Sequence, residues 1–194
     1  GANGSAMMSF TGTVSAINTS LNAGLSFTPT NGYRGLAQLT LLTDDQGNTG
    51  SGGALSDSDT LDVHVGAIVV TNANDLSNGT VSSIVNLPGS LPVREAMLAA
   101  NNTGGTDYIV FKIAGAGVQT ISVTSALPRL TLSGTTILDG STQPGYAGSP
   151  LIRIDGVSAG AGVHGITVDA AASGSTIRGL MITRFNGDGI NVAA

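Results

Sequence analysis

The stretch His164-Gly-Ile-Thr-Val-Asp-Ala returns 24 residues later as Asp188-Gly-Ile-Asn-Val-Ala-Ala, with Ser175-Thr-Ile-Arg-Gly-Leu-Met-Ile-Thr between the two copies. A recurrence of about 20–25 residues, with one or two short β-runs per copy, is the signature of a β-solenoid. Each copy is too small to bury its own apolar face, so coils must stack. Stable stacks need about three or more repeats and a cap at the end. The repeat is therefore expected to continue past Ala194, and part of the function is expected in those further coils.

Composition agrees with many short strands joined by tight turns. Hydrophobic residues make up 41% of the 194, enough for a core, while charged residues make up only 10%. There are 29 glycines without a three-residue period, which excludes collagen. Cysteine is absent, so disulfides and zinc–thiolate sites are excluded. The net charge of −5 is uneven. Residues 1–66 set Arg34 alone against Asp44, Asp45, Asp57, Asp59 and Asp62, a net −4; residues 67–194 carry six bases and seven acids, a net −1. This balance gives no footprint for nucleic acid. No apolar run reaches the length of a membrane span.

Along the chain, apolar positions 14, 17 and 21 are spaced for a short helix, whereas Leu25-Ser-Phe-Thr alternates as a strand stopped by Pro29. Asn31-Gly32-Tyr33 reads as a turn. Strands are expected at Leu36–Leu42 and Leu61–Val65, around a polar loop from Thr43 to Thr60. Ala67–Thr71 reads as a further strand. Pro92–Asn101 is the best helix: Pro92 suits its first turn, Ser90 is placed to cap it, and 93, 96, 97 and 100 form its apolar face. Short β-branched runs come after it at 108–113, 119–123, 136–140, 151–156, 165–168 and 180–183. Two of them end in Asp-Gly, at Asp139-Gly140 and Asp155-Gly156, as sharp corners would: glycine accepts positive φ and aspartate bonds the turn backbone.

Two resemblances add to this. The run Phe10–Thr30, then Gly32-Tyr33-Arg34-Gly35, then Gly47–Thr60, resembles the cadherin-like, immunoglobulin-like repeats of giant bacterial adhesins. Ser90-Leu-Pro-Val-Arg-Glu-Ala-Met-Leu-Ala-Ala-Asn resembles the "CSLREA" segment that opens bacterial right-handed parallel β-helix proteins. Gly89 stands where that pattern has cysteine, and Pro92-Val93 is inserted. Thr106–Phe111, Thr136–Tyr146 and Arg178–Ile182 extend the second match. The resemblances imply an all-β chain in two parts. Residues 1–66 would be a cadherin-like β-sandwich repeat, incomplete at its N-terminus. Residues 67–194 would be the capping helix and first coils of a right-handed, pectate-lyase-like parallel β-helix. They also imply a secreted or cell-surface bacterial protein with a structural and adhesive role toward carbohydrate or another cell. The alternative is the N-terminal part of a polysaccharide lyase or glycoside hydrolase whose active site lies beyond residue 194.

For chemistry, the acidic loop leads. Asp44, Asp45, Asp57 and Asp59 flank a glycine-rich tract, and calcium takes six to eight oxygen ligands. Asp57 and Asp59 fall on one side of an extended segment. The adhesin resemblance puts such calcium near the domain junction, where Asp75 could contribute. No EF-hand spacing is present. Asp139, Asp155, Asp169 and Asp188, with Arg153, Arg178 and Arg184, form no paired-carboxylate pattern, so no catalytic residue is assigned. His64 and His164 are lone. Tyr33, Tyr108, Tyr146 and Phe185 are scattered, and no sugar-stacking platform is visible.

Overall fold

A computed structural model of the chain describes residues 7–30, 35–48, 51–77, 90–131 and 134–193. They fall in two compact units, Gly1–Gly32 and Tyr33–Ala194. The chain is mostly β, as expected.

In the first unit, helix α1 spans Val14–Asn22, and the Thr13 hydroxyl caps it by accepting from the Ala16 amide at 3.3 Å. The 14, 17, 21 spacing thus marks a real helix. Leu25–Thr28, expected as a strand, has no regular structure. Alternation alone does not make a strand without a neighbour to complete its ladder. The turn expected at Asn31–Tyr33 lies outside the described residues.

In the second unit, β1 (Gly35–Asp44) and β2 (Ser56–Val65) form an antiparallel hairpin in unbroken register from Gly35 opposite Val65 to Asp44 opposite Ser56. The loop between them is shorter than expected. Asp57 and Asp59 pair with Thr43 and Leu41, so they belong to β2 rather than to a loop. Among the described residues, every buried one lies between Ile68 and Ala172. The core is thus built by the chain beyond the hairpin.

That part starts with β3 (Ile68–Val70) and helix α2 (Val93–Asn101). The chain then visits three parallel sheets in a fixed order, three times. The first pass is β4 (Asp107–Phe111), β5 (Gln119–Ser122) and a single bridging residue, Leu130. The second is β6 (Thr136–Asp139), β7 (Ile152–Asp155) and β8 (Ile166–Val168). The third is β9 (Thr176–Arg178), β10 (Leu180–Thr183) and β11 (Ile190–Val192). The sheets are β3-β4-β6-β9, β5-β7-β10 and β8-β11.

Period-2 patterning sets the inward rows. Ile68, Ile109, Leu138 and Ile177 stand in register in the first sheet, and Ile121, Ile154 and Ile182 in the second. Leu130 and Ile166 are fully buried in the third. Similar branched side chains stacked one strand apart remove apolar surface from water and interdigitate without voids.

Helix α2 packs on β3 and β4, and Val93, Ala96, Met97 and Ala100 are buried as the apolar face requires. Its N-cap is Pro92, without a side-chain cap. Ser90, expected to cap, instead accepts from the Asn72 side-chain amide at 3.0 Å. The Thr71 and Asn72 amides both donate to the Leu91 carbonyl and tie the helix entry to the end of β3.

The Asp-Gly corners work differently from the expectation on one point. Asp139 and Asp155 do accept from turn amides two residues on, Ser141 at 3.0 Å and Val157 at 3.1 Å. Gly140 and Gly156, however, lack positive φ. They are glycine because of contact between passes. A β-carbon at Gly140 would stand 2.2 Å from the Gly179 carbonyl oxygen, and one at Gly156 would enter the Phe185 ring at 2.3 Å. Gly140→Ala is therefore expected to destabilise the chain by about 1–3 kcal/mol, since backbone must move. Gly104→Ala, where nothing lies within 4 Å, is the control and should change stability little. Urea unfolding of the two variants checks this.

Candidate functional site

The four aspartates expected to hold calcium do not converge. Residues directly opposite in an antiparallel pair share a face, and successive residues alternate. Asp44, opposite Ser56, therefore lies on the face away from Asp57 and Asp59. Asp44 Oδ1 accepts from the Gln46 amide at 2.7 Å, and Asp45 Oδ1 accepts from the amides of Gly47 and Leu55 at 2.9 and 2.8 Å. Those two carboxylates shape the turn between the strands. Asp57 and Asp59 share one face, as anticipated. Among the described residues, no group of three or more His, Cys, Asp or Glu side chains is placed to hold a metal.

Asp75, the junction carboxylate, is committed elsewhere. Its oxygens accept from Arg94 Nε at 2.7 Å, from Arg94 Nη2 at 2.8 Å and from the Thr124 amide at 2.8 Å. Arg94 also donates to the carbonyls of Ala126 and Ser125. Burial pushes the Asp75 carboxyl up, but the Arg94 and Thr124 hydrogen bonds outweigh it, leaving the group below the usual carboxylate range.

The acids of the parallel sheets obey the same pattern. Asp139 stands opposite Arg178 in the β6–β9 register and binds its Nη2 at 2.6 Å; Asp139 also accepts from the Ser141 hydroxyl and amide. Asp155 holds Arg184, and Asp169 holds Arg129. Burial raises the Asp139 carboxyl, and Arg178 and Ser141 reverse this to a net lowering; Arg184 lowers Asp155. Arg184 follows β10 directly and adopts a left-handed φ of +59°. General acid chemistry needs a carboxyl whose pKa is raised toward neutrality. Asp139 and Asp155 are shifted the other way.

His164 and Asp188, at the head of the two repeat copies, are stacked. The Asp188 amide donates to His164 Nδ1 at 2.9 Å, and a carboxylate oxygen of Asp188 lies 3.3 Å from the same nitrogen, which ties the heads of the two copies together. The backbone of His64 pairs with Leu36 within the hairpin.

Two features escaped the sequence. Gln143, only 2% exposed, bonds both backbone groups of Ile113. The pairing of Asp139 with Arg178, Asp155 with Arg184 and Asp169 with Arg129 is the other. Neither carries a motif. Comparison with known proteins returns no matching family model, no matching curated protein and no matching solved structure. Among the described residues, no helix is long and apolar enough to cross a membrane.

Proposed function

We propose that residues 67–194 are the capping helix and first coils of a right-handed parallel β-helix. Residues 1–66 would be part of a cadherin-like repeat, both in a secreted or surface-attached bacterial protein with a structural and adhesive role. The observation that carries this reading is the in-register stacking of three passes over three parallel sheets. Parallel crossovers are right-handed in about 98% of cases, which supplies the handedness. A stacked rod presents a long outer face, and such faces serve binding.

An adhesive role is favoured over catalysis by the state of the carboxylates. Asp139, Asp155 and Asp169 are each bound to an arginine, and the first two are held below the normal range. Calcium enters the reading through Asp57 and Asp59, the two aspartates of the acidic segment that share a face.

The test is incubation of the chain with acidic and neutral polysaccharides, with and without calcium. The products are monitored for new reducing ends and for unsaturated sugar ends. The expected result is no turnover in either condition. Turnover that Asp139→Asn or Asp155→Asn abolishes would overturn the adhesive reading in favour of a lyase or hydrolase site within these coils.

A further inference from the structure

We propose that the cleft between the β7–β8 loop (156–165) and the β10–β11 turn (184–189) binds the C-terminal carboxylate of a peptide that ends in an apolar residue. The site stands on the geometry of these two loops and is independent of the adhesive reading.

Unequal loop lengths make the cleft. β7 and β10 are paired up to Asp155 opposite Thr183, and β8 and β11 pair from Ile166 opposite Ile190. Between those fixed points residues 156–165 run beside the shorter segment 184–189. The two are tied together on both sides of the excess. The Gly156 amide donates to the Thr183 carbonyl at 2.9 Å, the Gly187 amide to the Val163 carbonyl at 2.9 Å, and the Gly162 amide to Asn186 Oδ1 at 2.9 Å. The surplus residues, 157–161, must therefore bulge away from the turn beside them. Positive φ at Gly160 and Gly162 lets the chain double back. The bulge leaves a cleft of about 330 Å³, with Val157, Gly160 and Ala161 on one side and Arg184, Phe185 and Asn186 on the other. Ligand sites span about 300–1,000 Å³, so this volume suits the end of a chain rather than a run of residues.

The side chains of the cleft have spare donors, whereas their acceptors are engaged. Arg184 commits Nε and Nη2 to Asp155, which leaves Nη1 without a partner among the described residues, on a side chain that is 62% exposed. The Gly160 and Ala161 amides also donate to no other group among the described residues. Asn186 gives its oxygen to the Gly162 amide and keeps its Nδ2 donors. Asp155 is 1% exposed and accepts from Arg184 and from the Val157 amide. Asp188, the acid of the turn, is engaged with His164 and does not line the cleft. A carboxylate gains charge-assisted hydrogen bonds from such a donor set, and capture of a chain's terminal carboxylate is a recurring mode of peptide recognition. The remaining wall is apolar. The Phe185 ring lies against the Gly156 backbone, where a β-carbon would be 2.3 Å from it, and Val157 is exposed at the rim. An aliphatic last side chain is removed from water against both. A sugar acid fits worse, because its hydroxyls would enter a cleft whose side-chain acceptors are already used, and unpaired donors weaken binding.

The test is fluorescence anisotropy with a Gly-Ala-Ala-Leu peptide, labelled at its N-terminus and titrated with the full chain. The free acid should bind, and its C-terminal amide about tenfold more weakly. Unlabelled acid peptide should displace the label, and galacturonate should not. Val157→Asp puts a carboxylate on the apolar rim and keeps the Arg184–Asp155 pair. It should weaken the acid peptide about tenfold at an unchanged melting temperature. Should that variant melt early, Arg184→Lys serves instead: it keeps a charge for Asp155, removes Nη1 and should weaken binding several-fold. Equal binding of acid and amide, or no binding of the acid at millimolar concentration, would overturn the proposal. Displacement by galacturonate as effective as that by peptide would overturn the peptide in favour of a sugar acid. Binding that both variants retain would overturn the location.

Discussion

Arg94→Met is expected to lower the stability of the chain by about 3–5 kcal/mol at pH 7, the range for breaking a buried ion pair by removing one partner. Arg94 joins three segments that are distant in sequence: Asp75 before the helix, α2 itself, and the Ser125–Ala126 turn after β5. Methionine fills much of the space but leaves Asp75, whose side chain is 2% exposed, with only Thr124 as a hydrogen-bond partner. It also strips two carbonyls of their donor. Asp75→Asn in the Arg94→Met background should recover part of the loss, because the neutral amide costs less to bury than the unpaired carboxylate. Acid gives an independent check. The Asp75 pKa is lowered on folding, so its contribution is complete above the unfolded value of about 3.9 and fades as pH falls below that. The gap between wild type and Arg94→Met in urea midpoint should therefore narrow below about pH 4. An equal gap at pH 7 and in acid would mean that packing, and not the ion pair, carries the effect.

The parts of this fold visible in sequence are those fixed by local rules. Strand runs such as Leu151–Gly156 show β-branched alternation, and α2 announces itself through Pro92 and the 93, 96, 97, 100 face. The stacking of β11 on β8 was legible because those passes are 24 residues apart without insertion, so His164 and Asp188 align directly. Elsewhere the spacing varies. Asp139 meets Arg178 across 39 residues and Asp155 meets Arg184 across 29. Loops of different length between strands hide a register that backbone pairing sets. The ion pairs depend on that register, and no spacing rule would have found them. Leu25–Thr28 shows the reverse error, a strand pattern with no ladder to join. The glycines at the Asp-Gly corners show a third kind. Sequence suggests a glycine for its φ, whereas Gly140 answers to a carbonyl on the next pass.

Gln143→Met should cost about 2–4 kcal/mol, although the residue sits in a turn-rich stretch that invites no attention. Strands β4 and β6 stay paired only as far as Val110 opposite Asp139. Beyond that point β6 turns away through Gly140–Thr142, and the continuing chain of β4 loses its backbone partner on that side. Two side chains take over the ladder. The Thr142 hydroxyl accepts from the Phe111 amide at 2.8 Å and donates to the Asp139 carbonyl at 2.7 Å. Gln143 Oε1 then accepts from the Ile113 amide at 2.9 Å, while its Nε2 donates to the Ile113 carbonyl at 2.7 Å. Gln143 is 2% exposed and Ile113 5%, so solvent is poorly placed to replace these bonds. Methionine conserves volume, which keeps the cavity contribution small. What remains is the desolvation cost of one orphaned amide and one orphaned carbonyl, about 1–3 kcal/mol each. Thr142→Val, which strands the Phe111 amide and takes the hydroxyl donor from the Asp139 carbonyl at a half-buried position, should cost about half as much. Both would be read from urea midpoints at constant slope. A loss below about 0.5 kcal/mol for Gln143→Met would show that water enters and satisfies Ile113. The side-chain ladder would then be replaceable, and the corner between β6 and β7 would be held by the Asp139–Arg178 pair and the Gly140–Gly179 contact instead.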